Sequence, residues 1–158
     1  MKHLSFRELS ALGSALILAW VGYEFLPYAI ALAGSDSDHV RMFAEGGWRA
    51  IVKGDHLLHY VGVAVVSIIV LQIVYHTLIA ILMRKEANAP MDERDRMVNM
   101  KAQRVAYYLL DIGAAALAAY VIWANVPGML AAFWLITLLV AKEVVKYLAM
   151  FVYYRLSI

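Results

Sequence analysis

The run from Leu57 to Met83 contains no Asp, Glu, Lys or Arg. At about 1.5 Å per helical residue, a run of that length outreaches a hydrocarbon core of ~30 Å, so it crosses a bilayer with tilt or protrudes from it. Lipid leaves no water to satisfy peptide groups, which makes the helix the natural form of such a segment. Three further apolar runs accompany it, at about 9–33, 105–124 and 129–150. The expected fold is therefore all-α: a single integral membrane domain over 1–158, folded as a four-helix transmembrane bundle. Composition agrees, with 64% hydrophobic and 16% charged residues, against about 45–50% and about 25% in ordinary soluble domains. The first run is too long for the apolar core of a signal peptide and reads as the first span. The absence of cysteine excludes disulfides, thiolate metal sites and cysteine catalysis.

Local signals place the helix ends. Ser5-Phe6-Arg7-Glu8 is a capping-box pattern, so a helix starts near Phe6, and Pro27 can kink it further on. Asp55 can cap the second span. Pro90 breaks the loop after it, and Asp92 can start a helix that runs on through an amphipathic stretch into the third span. Asp92/Arg96 and Glu93/Arg96 fall at helical pair spacing. Asn125-Val126-Pro127-Gly128 is a turn signal, short enough to force an antiparallel fourth span.

Lysine and arginine set the orientation. The 84–104 loop carries Arg84, Lys85, Arg94, Arg96, Lys101 and Arg104; the first loop carries Arg41, Arg49 and Lys53; the 125–128 turn carries none. Both termini and the middle loop are thus expected in the cytoplasm, an N-in/C-in arrangement in a bacterial inner membrane. The basic loop faces anionic lipid headgroups, with Met97 and Met100 toward the bilayer. Asp92, Glu93 and Asp95 offset its charge and argue against nucleic acid.

That topology brings polar side chains to similar depth. His76 lies about 12 Å in from Arg84, and Asp111 about 10 Å in from Arg104. Lys142, Glu143 and Lys146 fall in the same third, and Gln72 shares a face with His76. An ionisable residue inside a span marks a functional site by default. Pairing of Asp111 with Lys142 or Lys146 would recover much of the roughly 2.5–3.5 kcal/mol that a lone charge costs in a span. The cluster serves either as polar glue for the bundle or as a proton- or ion-handling site with His76 as its titrating member. Ala114/Ala118 and Ala115/Ala119 are small-residue pairs that admit a close helix, inside the bundle or in a homodimer.

A second set lies in the first loop and the start of the second span: Asp36, Asp38, His39, Asp55, His56 and His59. Imidazoles three residues apart with nearby carboxylates suit a divalent metal at the outer face, with Glu24 at the same interface. The alternative is helix capping and interfacial polarity. Haem is not expected, because His59 and His76 stand about 25 Å apart on one helix and no other span offers a histidine. No phosphate loop, nucleophile elbow or H-E-x-x-H motif is present.

Asp92-Glu93-Arg94-Asp95, a short amphipathic stretch, and Lys101-Ala102-Gln103-Arg104-Val105-Ala106-Tyr107-Tyr108 together resemble the loop of small bacterial four-span membrane proteins with a D-E-R-D motif, which are domains of unknown function. The likeness covers the second loop and the start of the third span. It implies a cytoplasmic-membrane location and supplies no reaction. The outer Asp/His set and the Lys142/Glu143/Lys146 group have no place in it. The function expected from these features is that of a non-enzymatic accessory or regulatory subunit, acting through helix packing and the loop residues Asp92, Glu93, Arg94, Asp95 and Arg104. Its partner is a second copy or a larger membrane protein. The alternatives are a small oligomeric proton or cation carrier and, more weakly, an outer-face metal binder or metal-dependent membrane enzyme.

Overall fold

The computed structural model describes residues 5–34, 56–126 and 128–156, which are almost entirely helical. The elements are α1 (Phe6–Gly34), α2 (His56–Leu82), α3 (Arg84–Ala87), α4 (Glu93–Ala124) and α5 (Gly128–Leu156). Among the described residues, two helices are long and apolar enough to cross a membrane: α2 over Ala64–Leu82, where an 18-residue stretch has mean hydropathy 2.4, and α4, where an 18-residue stretch reaches 1.8. In α5, Lys142, Glu143 and Lys146 interrupt the apolar run.

The helix ends follow the local chemistry. Glu8 accepts from the Ser5 N–H at 2.8 Å, and Ser5 Oγ accepts from the Glu8 N–H at 3.3 Å. The same reciprocal box opens α4, where Asp92 and Asp95 accept from each other's N–H at 2.8 and 2.9 Å. Two otherwise orphaned donors are satisfied at each start. Helix α1 continues through Pro27, and α4 runs from the charged loop to Ala124 without a break. Asn125 closes α4 in the left-handed region at φ 51°, a conformation Asn tolerates better than most residues, and the Val126 N–H reaches the Val121 carbonyl at 3.1 Å.

The long helices pack in series, α2 on α1, α1 on α5, and α5 on α4. Among the described residues, the long helices therefore form an open row, with α2 and α4 on its flanks and no extended contact between them. Small residues make the seams. Ala11, Ser14 and Ala15 are buried on α1, and Val98, Ala102 and Ala106 are fully buried on α4. Small side chains let the helix axes come close, so atoms of the facing helices gain dispersion contacts. Phe133, near the start of α5, is buried at 1% exposure. A Cβ on Gly113 would lie 2.5 Å from Leu138 Cδ1, so any larger residue there would have to push the Leu138 side chain aside. A cleft of about 320 Å³ remains between α1, α2 and α5, with Leu18, Gly22, Ile68, Val140 and Val144 in its wall and no ionisable residue among its lining.

Candidate functional site

Both chain-end helices and the middle loop meet at one end of the row. The Arg7 guanidinium is ion-paired with Asp95, lies 3.8 Å from Asp92 Oδ1, and donates to the Pro90 carbonyl at 2.9 Å. The Phe6 N–H donates to Glu86 Oε2 at 2.8 Å. From α5, the Tyr154 hydroxyl donates to Asp95 Oδ1 at 3.3 Å, while Arg94 donates to the Tyr154 carbonyl at 3.0 Å. Asp95 is 3% exposed, so its charge is sustained by a cation and two further donors rather than by water. Burial raises the pKa of the Tyr154 hydroxyl above its ordinary value, which keeps it a donor. Asp92, Arg94 and Asp95 of the D-E-R-D motif are therefore joined to a clasp within the chain, while Glu93 and Arg104 are exposed and lie outside it. Neither Asp92 nor Glu93 forms an ion pair with Arg96.

A second polar cluster joins α1 to α2. His76 Nε2 lies 2.9 Å from Gln72 Oε1 and 3.1 Å from Ser14 Oγ, and Nδ1 lies 3.3 Å from Ser10 Oγ. Ser14 Oγ also donates to Gln72 Oε1 at 3.1 Å. A carbonyl oxygen only accepts, so Nε2 carries the proton and Nδ1 accepts from Ser10. A neutral imidazole thereby satisfies both ring nitrogens and both serine hydroxyls. Beside it, the Tyr75 hydroxyl donates to the Leu9 carbonyl at 2.6 Å, its ring lying where a Cβ on Gly13 would be. Ser10, Ser14 and Tyr75 were not among the residues singled out from the sequence. The signal was present: Ser10/Ser14 and Gln72/His76 are each four apart, and so each pair shares one helix face.

The third cluster stays on α5. Lys142 Nζ is 2.6 Å from Glu143 Oε1, and Lys146 Nζ is 3.5 Å from Glu143 Oε2. Lys142 also sits over the Tyr107 ring of α4, 5.6 Å from its centroid, a cation–π distance.

The pairing of Asp111 with Lys142 or Lys146 expected from their similar depth is absent among the described residues. Asp111 is exposed, and no described residue pairs with it. The reason is rotation about α4. The face that meets α5 carries Val98, Ala102 and Ala106, and at 100° per residue Asp111 lies on the opposite side. Gln72 and His76 are brought together, as are Lys142, Glu143 and Lys146, at separate places in the row. The small-residue seam against α5 is formed by Ala102 and Ala106; Ala115, Ala118 and Ala119 are exposed, and Ala114 is half-buried.

Asp36, Asp38, His39 and Asp55 lie outside the described residues; His56 and His59 occupy the first turn of α2, and Glu24 is exposed on α1. Among the described residues, no group of three or more His, Asp or Glu is placed to hold a metal ion. No protein-family model, curated protein or solved structure matches the chain.

Proposed function

We propose that the chain is a small non-enzymatic protein of the bacterial cytoplasmic membrane, with four spans and both termini in the cytoplasm, that serves as an accessory or regulatory subunit through helix–helix contact. The observation that carries this reading is Asp111: an acid exposed in an apolar stretch of α4, with no partner among the described residues. Intramembrane acids normally find a partner or line a polar cavity, so this flank of α4 is a surface made to be covered. The clasp agrees with the orientation, because it gathers Arg7, the 86–95 loop and Tyr154 at one end, as the loop's lysines and arginines require.

The carrier alternative draws on His76, Asp111 and Glu143, but these stand in three different surroundings rather than along one path. Reconstitution tests the choice. The expected result is a complex larger than one chain in mild detergent, and no proton or cation flux above that of empty liposomes. Flux by the chain alone, abolished by Asp111→Asn, would replace the accessory reading with the carrier.

A further inference from the structure

We propose that the cleft between α1, α2 and α5 holds one acyl chain of a cytoplasmic-leaflet phospholipid, whose ester carbonyl accepts a hydrogen bond from the Gln72 side chain. This rests on the membrane reading above and adds a lipid ligand to it.

Two independent observations meet at this place. The first is the cleft, of about 320 Å³, whose wall is aliphatic except for Thr137. The Thr137 hydroxyl donates to the Phe133 carbonyl at 3.1 Å. No side chain of the wall offers a free donor, so the space suits a hydrocarbon chain and penalises a polar ligand. The second is Gln72. Its Oε1 accepts from both Ser14 and His76, but no described residue accepts from its Nε2. Every fully buried side-chain nitrogen and oxygen among the described residues has a partner, so this Nε2 lies where a molecule outside the helix pair can reach it. An amide donor left facing hydrocarbon without an acceptor is costly. Gln72 stands one turn from Ile68 of the cleft wall, and Ser14 one turn from Leu18. The unfilled donor is thus at the clasp side of the apolar slot.

Depth selects the occupant. A Cβ on Gly22 of α1 would lie 3.3 Å from Val140 Cγ1 of α5, and Lys142 of α5 sits over Tyr107 of α4. Arg7, Tyr154 and Asp95 hold the same antiparallel registers at the clasp. Counted along these registers, Ser14 and its partner Gln72 come level with Lys101, just before the apolar run that begins at Val105. Leu18 and Gly22 of the cleft come level with Val105 and Leu109. From the clasp inward the row therefore offers charge, then an amide donor, then an aliphatic slot. A phospholipid of the cytoplasmic leaflet has the matching order of headgroup, ester carbonyl and acyl chain. The ester carbonyl is an acceptor, as the amide N–H requires, and it lies where the hydrocarbon begins. A partner helix spends its main-chain carbonyls on its own hydrogen bonds, and water brings no tail to fill the slot.

Photolabelling reads the site. The full chain is reconstituted in phosphatidylethanolamine vesicles containing a small fraction of phosphatidylglycerol with a diazirine midway along one acyl chain, and labelled residues are mapped by mass spectrometry. Ile68, Ile136 and Val140 of the wall should be labelled several-fold more than Ile73 and Ile112, which are exposed outside the cleft. A probe with an ether in place of the ester keeps the tail and lacks the carbonyl. On the unaltered chain the ester should outlabel the ether in the cleft by about threefold or more, a ratio within reach of one neutral hydrogen bond. In Gln72→Met the two probes should label the cleft equally. Ala64→Phe, which fills the slot from its wall, should remove the cleft label and leave that on Ile73 and Ile112. Label spread evenly over wall and outer faces would overturn the site. So would equal labelling by the two probes on the unaltered chain, or an ester preference that survives Gln72→Met. Alkaline carbonate extraction of native membranes separates the two layers. Release of the chain into the soluble fraction would defeat the membrane reading, whereas a retained chain without the cleft label would overturn the lipid site alone.

Discussion

Removal of the Arg7 guanidinium strands a carboxylate. Asp95 is 3% exposed, and Arg7→Ala leaves it with the Asp92 N–H at 2.9 Å and the Tyr154 hydroxyl at 3.3 Å. Breaking a buried pair from one side typically costs roughly 3–5 kcal/mol. The surviving donors place Arg7→Ala at the low end, about 3 kcal/mol. Arg7→Ala combined with Asp95→Asn should cost less than the sum of the single changes by about 1.5–3 kcal/mol, because the neutral amide needs no cation. Unfolding in mixed micelles, followed through the four tryptophans, measures all corners of this cycle. A coupling below about 0.5 kcal/mol would refute the clasp, since exposed pairs commonly give that little. The clasp has an alkaline limit too. Burial raises the Tyr154 pKa from 10.0, so below pH 10 the neutral phenol donates to Asp95. As the pH climbs through the raised value, the phenolate loses its donor and repels the carboxylate, and stability falls. Tyr154→Phe should abolish that loss.

Two further outcomes follow from the α1–α2 seam. Gly13→Ala should destabilise by about 1–2 kcal/mol, because the new Cβ displaces the Tyr75 ring from its bond to Leu9; in a Tyr75→Leu background the same change should become neutral or stabilising by up to about 1 kcal/mol through helix propensity, read from the same unfolding midpoints. Ser14→Val should cost about 1–3 kcal/mol, since it leaves Gln72 and His76 short of a buried partner, whereas Ser14→Thr, which keeps the hydroxyl, should cost less in the same assay.

Helix starts and stops were legible in the sequence because their causes are local. Ser5 and Glu8, or Asp92 and Asp95, need only each other, and Asn125 needs only the turn it closes. The run of α4 from charged loop into apolar segment was legible for the same reason. What is lateral was not. Hydropathy gives the height of Asp111 in a helix but not its bearing, and the bearing is set by Ala102 and Ala106 packing on α5. The D-E-R-D segment reads as a surface motif until Arg7 and Tyr154, distant in the chain, are brought to it by the fold. His76 was legible as polar and unusual. Its serine partners were not, because hydroxyls are common in apolar helices and declare themselves only when another helix faces them.

The most direct test of the four-crossing arrangement uses the cysteine-free background of the chain. Ala89→Cys places a thiol at an exposed position in the loop at the clasp end, and Gly128→Cys places one at the opposite turn, where a Cβ meets nothing within 4 Å. In intact cells whose outer membrane alone has been made permeable, a membrane-impermeant maleimide should label Gly128→Cys and spare Ala89→Cys until the inner membrane is opened. Labelling of Ala89→Cys from outside, or equal labelling of both sites before the inner membrane is opened, would contradict it.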